Sequence, residues 1–241
     1  MISELKIIRA YFAAIDFLKA IKALNDEEVD IIIKLLEDST KKKEKRRKAM
    51  KKMPTLFKRE FTPDHKVIIH NEVTPGCDWG LRGEGIATAK LDGACCAIFD
   101  GEFWRRYDAK KGKPIPENAI LCQPEADAVT GHLPCWIPVT TASADKWFID
   151  AIQNSNLKLS DNGTYEAVGP HFQNNPYNLE KDYLIKHGSI HLYHCGRTFE
   201  AIRDFLERNE QIEGIVFHRE NGQMCKIKRT DFGFSWKNSK K

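Results

Sequence analysis

The chain has 241 residues, 41% of them hydrophobic, which is enough for one substantial core plus an appendage. Its formal charge of +4 is mild and concentrated in one segment, so a chain that coats polyanions along its whole length is excluded. Seven cysteines without C-x-x-C spacing point to free thiols in a reducing compartment. Neither a signal peptide nor a run of about 18 apolar residues is present, and the expectation is an intracellular protein, cytoplasmic or nuclear, without membrane contact.

In chain order, Ser3-Glu4 followed by Leu5, Ile7, Ile8, Tyr11, Phe12, Ile15, Leu18 and Ile21 predicts a capped amphipathic helix. Asn25-Asp26 breaks it before Val29, Ile32, Ile33, Leu35 and Leu36 begin a second, so a helical hairpin is expected. That second helix runs into Lys41, Lys42, Lys43, Lys45, Arg46, Arg47, Lys48, Lys51 and Lys52, nine cations against the single anion Glu44. Such a run can grip a phosphate backbone through counterion release, or it can be a solvated basic helix or a localisation signal. Pro54 marks the boundary, giving units 1–52 and 53–241.

Beyond it, short apolar runs at Val67-Ile68-Ile69, 86–90, 95–99, 165–168, 190–193, 212–217 and 224–227 read as strands between Gly, Asn and Pro turns. Helices are expected at 144–154 and at 198–209, where Thr198 can cap and Phe199, Ile202, Phe205 and Leu206 recur at helical spacing. The class is α+β.

Three charged clusters carry the chemistry: Lys90-Leu91-Asp92-Gly93, Glu213-Gly214-Ile215-Val216-Phe217 and Lys226-Ile227-Lys228. Together they describe a lysine that attacks a nucleoside triphosphate. Such a lysine must be a neutral amine, so a pKa of about 10.4 has to be lowered by neighbouring cations or burial. Lys226 and Lys228, two apart in a strand, project from one face and can converge on one triphosphate. Asp92 and Glu213 are candidate metal-side carboxylates, acting through water. Phosphoryl transfer of this kind is mainly positioning and charge stabilisation, which explains a set of charged residues on short strands.

These clusters, with Glu166 in Tyr165-Glu166-Ala167-Val168-Gly169, stand in the order of the motifs of the covalent nucleotidyltransferases, the superfamily of ATP-dependent ligases and mRNA capping enzymes. From Met53 to Trp236 the chain resembles the stand-alone ATP-dependent RNA 5′-to-3′ ligases of the vertebrate type. The likeness extends through segments without catalytic logic: Lys52-Met53-Pro54, Gly93-Ala94-Cys95-Cys96, residues 131–139, Asn175-Pro176-Tyr177-Asn178-Leu179 and Phe232-Gly233-Phe234-Ser235-Trp236.

The resemblance implies a ligase-type catalytic domain, ATP-grasp-like, of antiparallel sheets flanked by helices. It implies that Lys90 takes AMP from ATP and passes it to an RNA 5′-phosphate, which a 3′-hydroxyl then attacks to seal the strand, a reaction suited to RNA repair. Mg²⁺ is the expected ion, with Mn²⁺ an alternative, and a monomer is expected. Arg106 matches the arginine used on the nucleotide sugar and phosphates, with Arg105 the alternative. Gly93 belongs to the nucleotide loop, Glu166 would hold the ribose hydroxyls or a metal shell, and Val216 would pack on the purine. Ala89 stands where many RNA ligases have a glutamate, and the aromatic that stacks on adenine falls somewhere in 183–193. Only residues 229–241 follow Lys228, so no C-terminal OB barrel is expected, and the basic run would take over its grip on RNA.

Two other readings are carried: a GTP-dependent capping-type enzyme or DNA nick ligase, and an inactive RNA-binding protein that keeps the fold. Other eye-catching residues have plain readings. His191, His194 and Cys195 lack a partner pair for zinc. Cys95 and Cys96 alternate across a strand, so a buried rather than catalytic thiol is expected on the nucleotide side, and Gly80, Gly83 and Gly85 are expected as an ordinary loop.

Overall fold

A computed structural model describes residues 26–47, 52–64, 67–128 and 130–237. The chain divides into two compact units, 1–47 and 48–241. In the first, α1 (Asp26–Arg47) realises the second expected helix; the helix expected from Ser3 to Ile21 lies outside the described residues. Ile31 and Leu35 on α1 are exposed, and Lys41 stands 4.0 Å from Glu37 one turn away.

The second unit is α+β, with antiparallel ladders and few helices. β1 (Phe57–Phe61) and β2 (Val67–Val73) form a ribbon. β3 (Ile86–Lys90), β10 (Gly214–His218) and β11 (Met224–Lys228) form a three-stranded sheet in the order β11-β10-β3. β4 (Ala94–Phe99), β5 (Glu102–Ala109), β6 (Ile120–Leu121), β7 (Leu133–Pro138), β8 (Gly163–Val168) and β9 (Tyr183–Lys186) form a sheet ordered β6-β7-β5-β4-β8-β9.

Strand alternation sorts the side chains. In the small sheet Ala87, Ile215, Phe217, Cys225 and Ile227 turn into a core shared with Ile202 and Leu206 of α3 (Phe199–Arg208). In the large sheet Cys96, Ile98, Tyr165 and Ala167 face Ala151 and the partly buried Trp147, Phe148 and Ile152 of α2 (Lys146–Asn154), while Ala97, Phe99, Trp104 and Trp136 fill the opposite face. Thr198 caps α3 as its spacing predicts, its hydroxyl accepting from the Ala201 N–H at 3.1 Å.

The segment 190–193 is not a strand. It runs beside β3, with Ala89 N–H donating to the Ile190 carbonyl and Leu192 N–H to the Ala87 carbonyl, but a turn on either side ends the pairing after one bridge, Thr88 to His191. The missed strands have equally local reasons. β7 carries Pro134 and Pro138, which demote a strand reading, and β9 has four residues.

Candidate nucleotide site

The small sheet presents a second row of side chains. Gly214 pairs with both Lys90 and Lys228, and Val216 with both Thr88 and Lys226. Period-two alternation therefore puts Thr88, Lys90, Val216, Lys226 and Lys228 on the face opposite the core. On the large sheet Cys95 pairs with Glu166. The two rows meet at a cavity of about 620 Å³ whose walls include Lys90, Gly93, Arg106, Glu166, Val216 and Lys226.

Asp92, Glu213 and Lys228 are not on those walls but stand behind them. Glu213 is 5% exposed and holds two of the lysines: Lys90 Nζ donates to one carboxylate oxygen, and Lys228 Nζ lies 2.5 Å from the other. Asp92 Oδ2 accepts from the Trp236 indole N–H at 2.7 Å, and its backbone N–H donates to the Tyr177 hydroxyl at 2.7 Å. Glu166 accepts from the Gly93 N–H at 3.0 Å and faces His187 Nε2 at 2.7 Å.

Three segments that looked idle in the sequence thereby acquire work: Tyr177 and Trp236 brace Asp92 from two sides, and Pro54 receives the Lys226 N–H at 3.0 Å, laying 54–56 along β11. In the sequence only the family resemblance marked these segments, since neither aromatic has a periodicity that points to the site. His187 and His218 also line the cavity, and His187 falls inside the span where an adenine-stacking ring is expected.

The arginine alternative separates by strand parity. Arg106 lines the cavity, its Nε donating to Asp108 Oδ1 at 2.9 Å, whereas Arg105 donates to buried Asp145 at 2.7 Å.

Gly93 has a steric reason. A Cβ there would sit 2.2 Å from the Ala167 carbonyl oxygen and 2.9 Å from Glu166 Cγ. Gly93→Ala must push β4 from β8, and it is expected to cost about 2 kcal/mol in chemical denaturation and to displace Glu166.

The electrostatics depart from the expectation for the nucleophile. Burial pulls the Lys90 ammonium down, but Glu213, with Glu166 and Asp92, outweighs it, and the net shift is upward. Lys226 is the lysine pulled down, to about 8, by burial and by Lys90, Lys228 and Arg59. An unfolded Lys titrates near 10.4, so the folded state bears the penalty below pH 8 and sheds it between pH 8 and 10.4. Lys226→Met is accordingly expected to stabilise the protein by on the order of 2 kcal/mol at pH 7 and by much less at pH 10, as read from thermal melts.

The carboxylates expected at a metal, Asp92, Glu166 and Glu213, do not form one ligand cluster among the described residues; the cluster found there is Cys95, Glu166 and His187. Asp92 and Glu213 already hold protein donors, which fits an ion met through water better than one bound directly. Of the basic run, the α1 residues Lys42, Lys43, Lys45, Arg46 and Arg47 are described in backbone only, and Lys48 and Lys51 lie outside the described residues. Lys52 is bound by Asp127 at 2.5 Å, and that contact holds the carboxyl well below its ordinary range.

Two antiparallel sheets bring a carboxylate-held lysine, a second lysine and an arginine to one cavity, an arrangement suited to a polyanion. The family model described as RNA ligase 1 matches residues 141–241. The chain is similar to RNA ligase 1 of Mus musculus, 25% identical over 226 residues covering 63% of this chain and 68% of that protein. It is similar to RNA ligase 1 of Pongo abelii, 24% identical over 271 residues (77% and 82%), and of Danio rerio, 24% identical over 169 residues (56% and 49%). These matches support an RNA ligase 1-type nucleotidyltransferase family for this chain, and RNA ligase function at the level of that family. Among the described residues no helix is long and apolar enough to cross a membrane.

Proposed function

We propose that this protein is an ATP-dependent RNA ligase that joins 5′-phosphate and 3′-hydroxyl ends through a lysyl-AMP intermediate, in the service of RNA repair. The observation that carries the reading is the convergence of Lys90, Lys226 and Arg106 on one cavity, with Lys90 held by Glu213. The Lys90 amine attacks the α-phosphorus; a P–N bond forms, the bond to the β-phosphate oxygen breaks, and pyrophosphate leaves. An RNA 5′-phosphate oxygen then displaces the lysine to give a 5′-adenylated end, and the 3′-hydroxyl attacks that phosphate and expels AMP.

In the resting state Lys90 is an ammonium held by Glu213, so its proton must leave before attack, and loosening of that pair is the event that frees the amine. Lys226 and Arg106 bind the phosphates, and Lys228 keeps Glu213 in place. Val216 and His187 offer the base its walls, and Glu166 a carboxylate for the ribose. Mg²⁺, or Mn²⁺, would be met by the triphosphate and, through water, by Asp92 and Glu213; it would supply charge neutralisation for the leaving pyrophosphate. The catalytic domain is read as a nucleotidyltransferase fold acting as a monomer inside the cell, with RNA gripped by the run from Lys41 to Lys52.

Incubation with α-labelled ATP or GTP and magnesium, followed by a denaturing gel and by joining assays on 5′-phosphorylated RNA, tests the reading. ATP-dependent labelling with RNA joining is expected. A GTP-only band would move the protein to capping chemistry, preference for nicked DNA would make it a DNA ligase, and no band would leave an RNA-binding protein.

A further inference from the structure

One wall of the cavity has a composition that phosphate binding does not explain. Cys95 and Glu166 are direct partners across the β4–β8 ladder, which places their side chains side by side on the cavity face. His187 follows β9 immediately, and its N–H donates to the Thr164 carbonyl, two residues from Glu166 on the same face of β8. The register of three strands thus brings a thiol, a carboxylate and an imidazole together, with donor atoms all within 4.8 Å of one another.

His187 Nε2 lies 2.7 Å from Glu166, while its Nδ1 is buried without a hydrogen-bond partner. No hydrogen bond to that nitrogen holds the ring against turning toward the thiol. The three residues all border the open cavity, so an ion has both an entry path and a vacant direction for a fourth ligand.

We propose that Cys95, Glu166 and His187 form a site for a thiophilic divalent ion, Zn²⁺, and that its occupation blocks the nucleotide. Cysteine sulfur, histidine nitrogen and carboxylate oxygen are each zinc donors, and three protein ligands leave a tetrahedral ion one open position. Magnesium, which takes oxygen ligands, has no use for two of the three. Binding replaces the Cys95 thiol proton, which is released to solvent, and the thiolate and carboxylate together balance the charge of the ion. Because Glu166 also faces the nucleotide cavity, zinc and nucleotide compete for it; this second half of the proposal rests on the reading of the cavity given above.

The test separates the two halves. Cobalt(II), titrated into the protein without nucleotide, is expected to give one equivalent of a thiolate-to-cobalt charge-transfer band, with the visible absorption of a four-coordinate ion, that zinc abolishes. Cys95→Ser should lose the charge-transfer band, and His187→Ala should weaken binding roughly tenfold or more. A missing band in the wild type, or an undiminished band in Cys95→Ser, overturns the site whether or not the protein proves to be a ligase. In ATP labelling, each protein compared with its own zinc-free rate, half-inhibition of Cys95→Ser should require roughly tenfold more zinc or above. Equal sensitivity of the two proteins, with the cobalt site present, would overturn the competition alone.

Discussion

Lys90→Ala is expected to lose covalent nucleotide labelling by on the order of 10⁴-fold or more while staying folded. The two halves of that expectation have separate causes. The amine stands on the cavity wall at the end of β3, held by Glu213, and a methyl group in its place has nothing to attack with. Folding survives because Glu213 keeps Lys228 at 2.5 Å, so its buried carboxylate is not stranded. Lys90→Arg sharpens the test. A guanidinium can stay beside Glu213 but does not deprotonate at any working pH, so the charge is kept and the label is still lost. Denaturing gels read the label and thermal melts read the fold; a labelled Lys90→Ala protein would sink the assignment of the nucleophile.

Glu213→Gln is expected to be the more damaging change to the fold, costing about 3 kcal/mol at pH 7. It leaves Lys90, Lys226 and Lys228 close together without the carboxylate that two of them touch. Burial pushes the Glu213 carboxyl up, but Lys90 and Lys228 outweigh it and hold it below its ordinary value. A lowered carboxyl contributes stability above its unfolded pKa of about 4.3 and loses it as pH falls through the folded value. Lys90, shifted upward, contributes below about 10.4 and loses its part as pH rises past that point. The gap between wild type and Glu213→Gln in denaturant melts should therefore be widest near neutrality and close toward both extremes, acid first. Without Glu213 the burial of Lys90 is no longer outweighed, and the rising limb of its labelling rate should move to lower pH. A stability gap that ignores pH would show that Glu213 acts by packing alone.

The small sheet was legible because two-residue periodicity is local. Thr88, Lys90, Val216, Lys226 and Lys228 alternate with apolar partners along their own strands, and the ladders confirm a common face. The large sheet was legible only in part. β5 was noticed for its arginines rather than as a strand, and prolines hid β7. What distinguishes Arg105 from Arg106 is which side of β5 each occupies, and that depends on the pairing of β5 with β4.

By itself the sequence carried the residue types and their order: a lysine beside an acid at 90–92, a second acid at 213 and two companion lysines at 226 and 228, each stretch placing its side chains by local alternation. Only the tertiary structure decided how those charges act on one another. Glu213 and Lys90 are far apart in the chain, yet the Gly214–Lys90 pairing makes them touch, so Lys90 is held protonated and Lys226 bears the lowered pKa. Tyr177 and Trp236 reach Asp92, and Cys95 and Glu166 become neighbours, by the same route. Coulomb energies and ligand sets depend on distance in space, and distances between strands are set by register, which no single strand encodes.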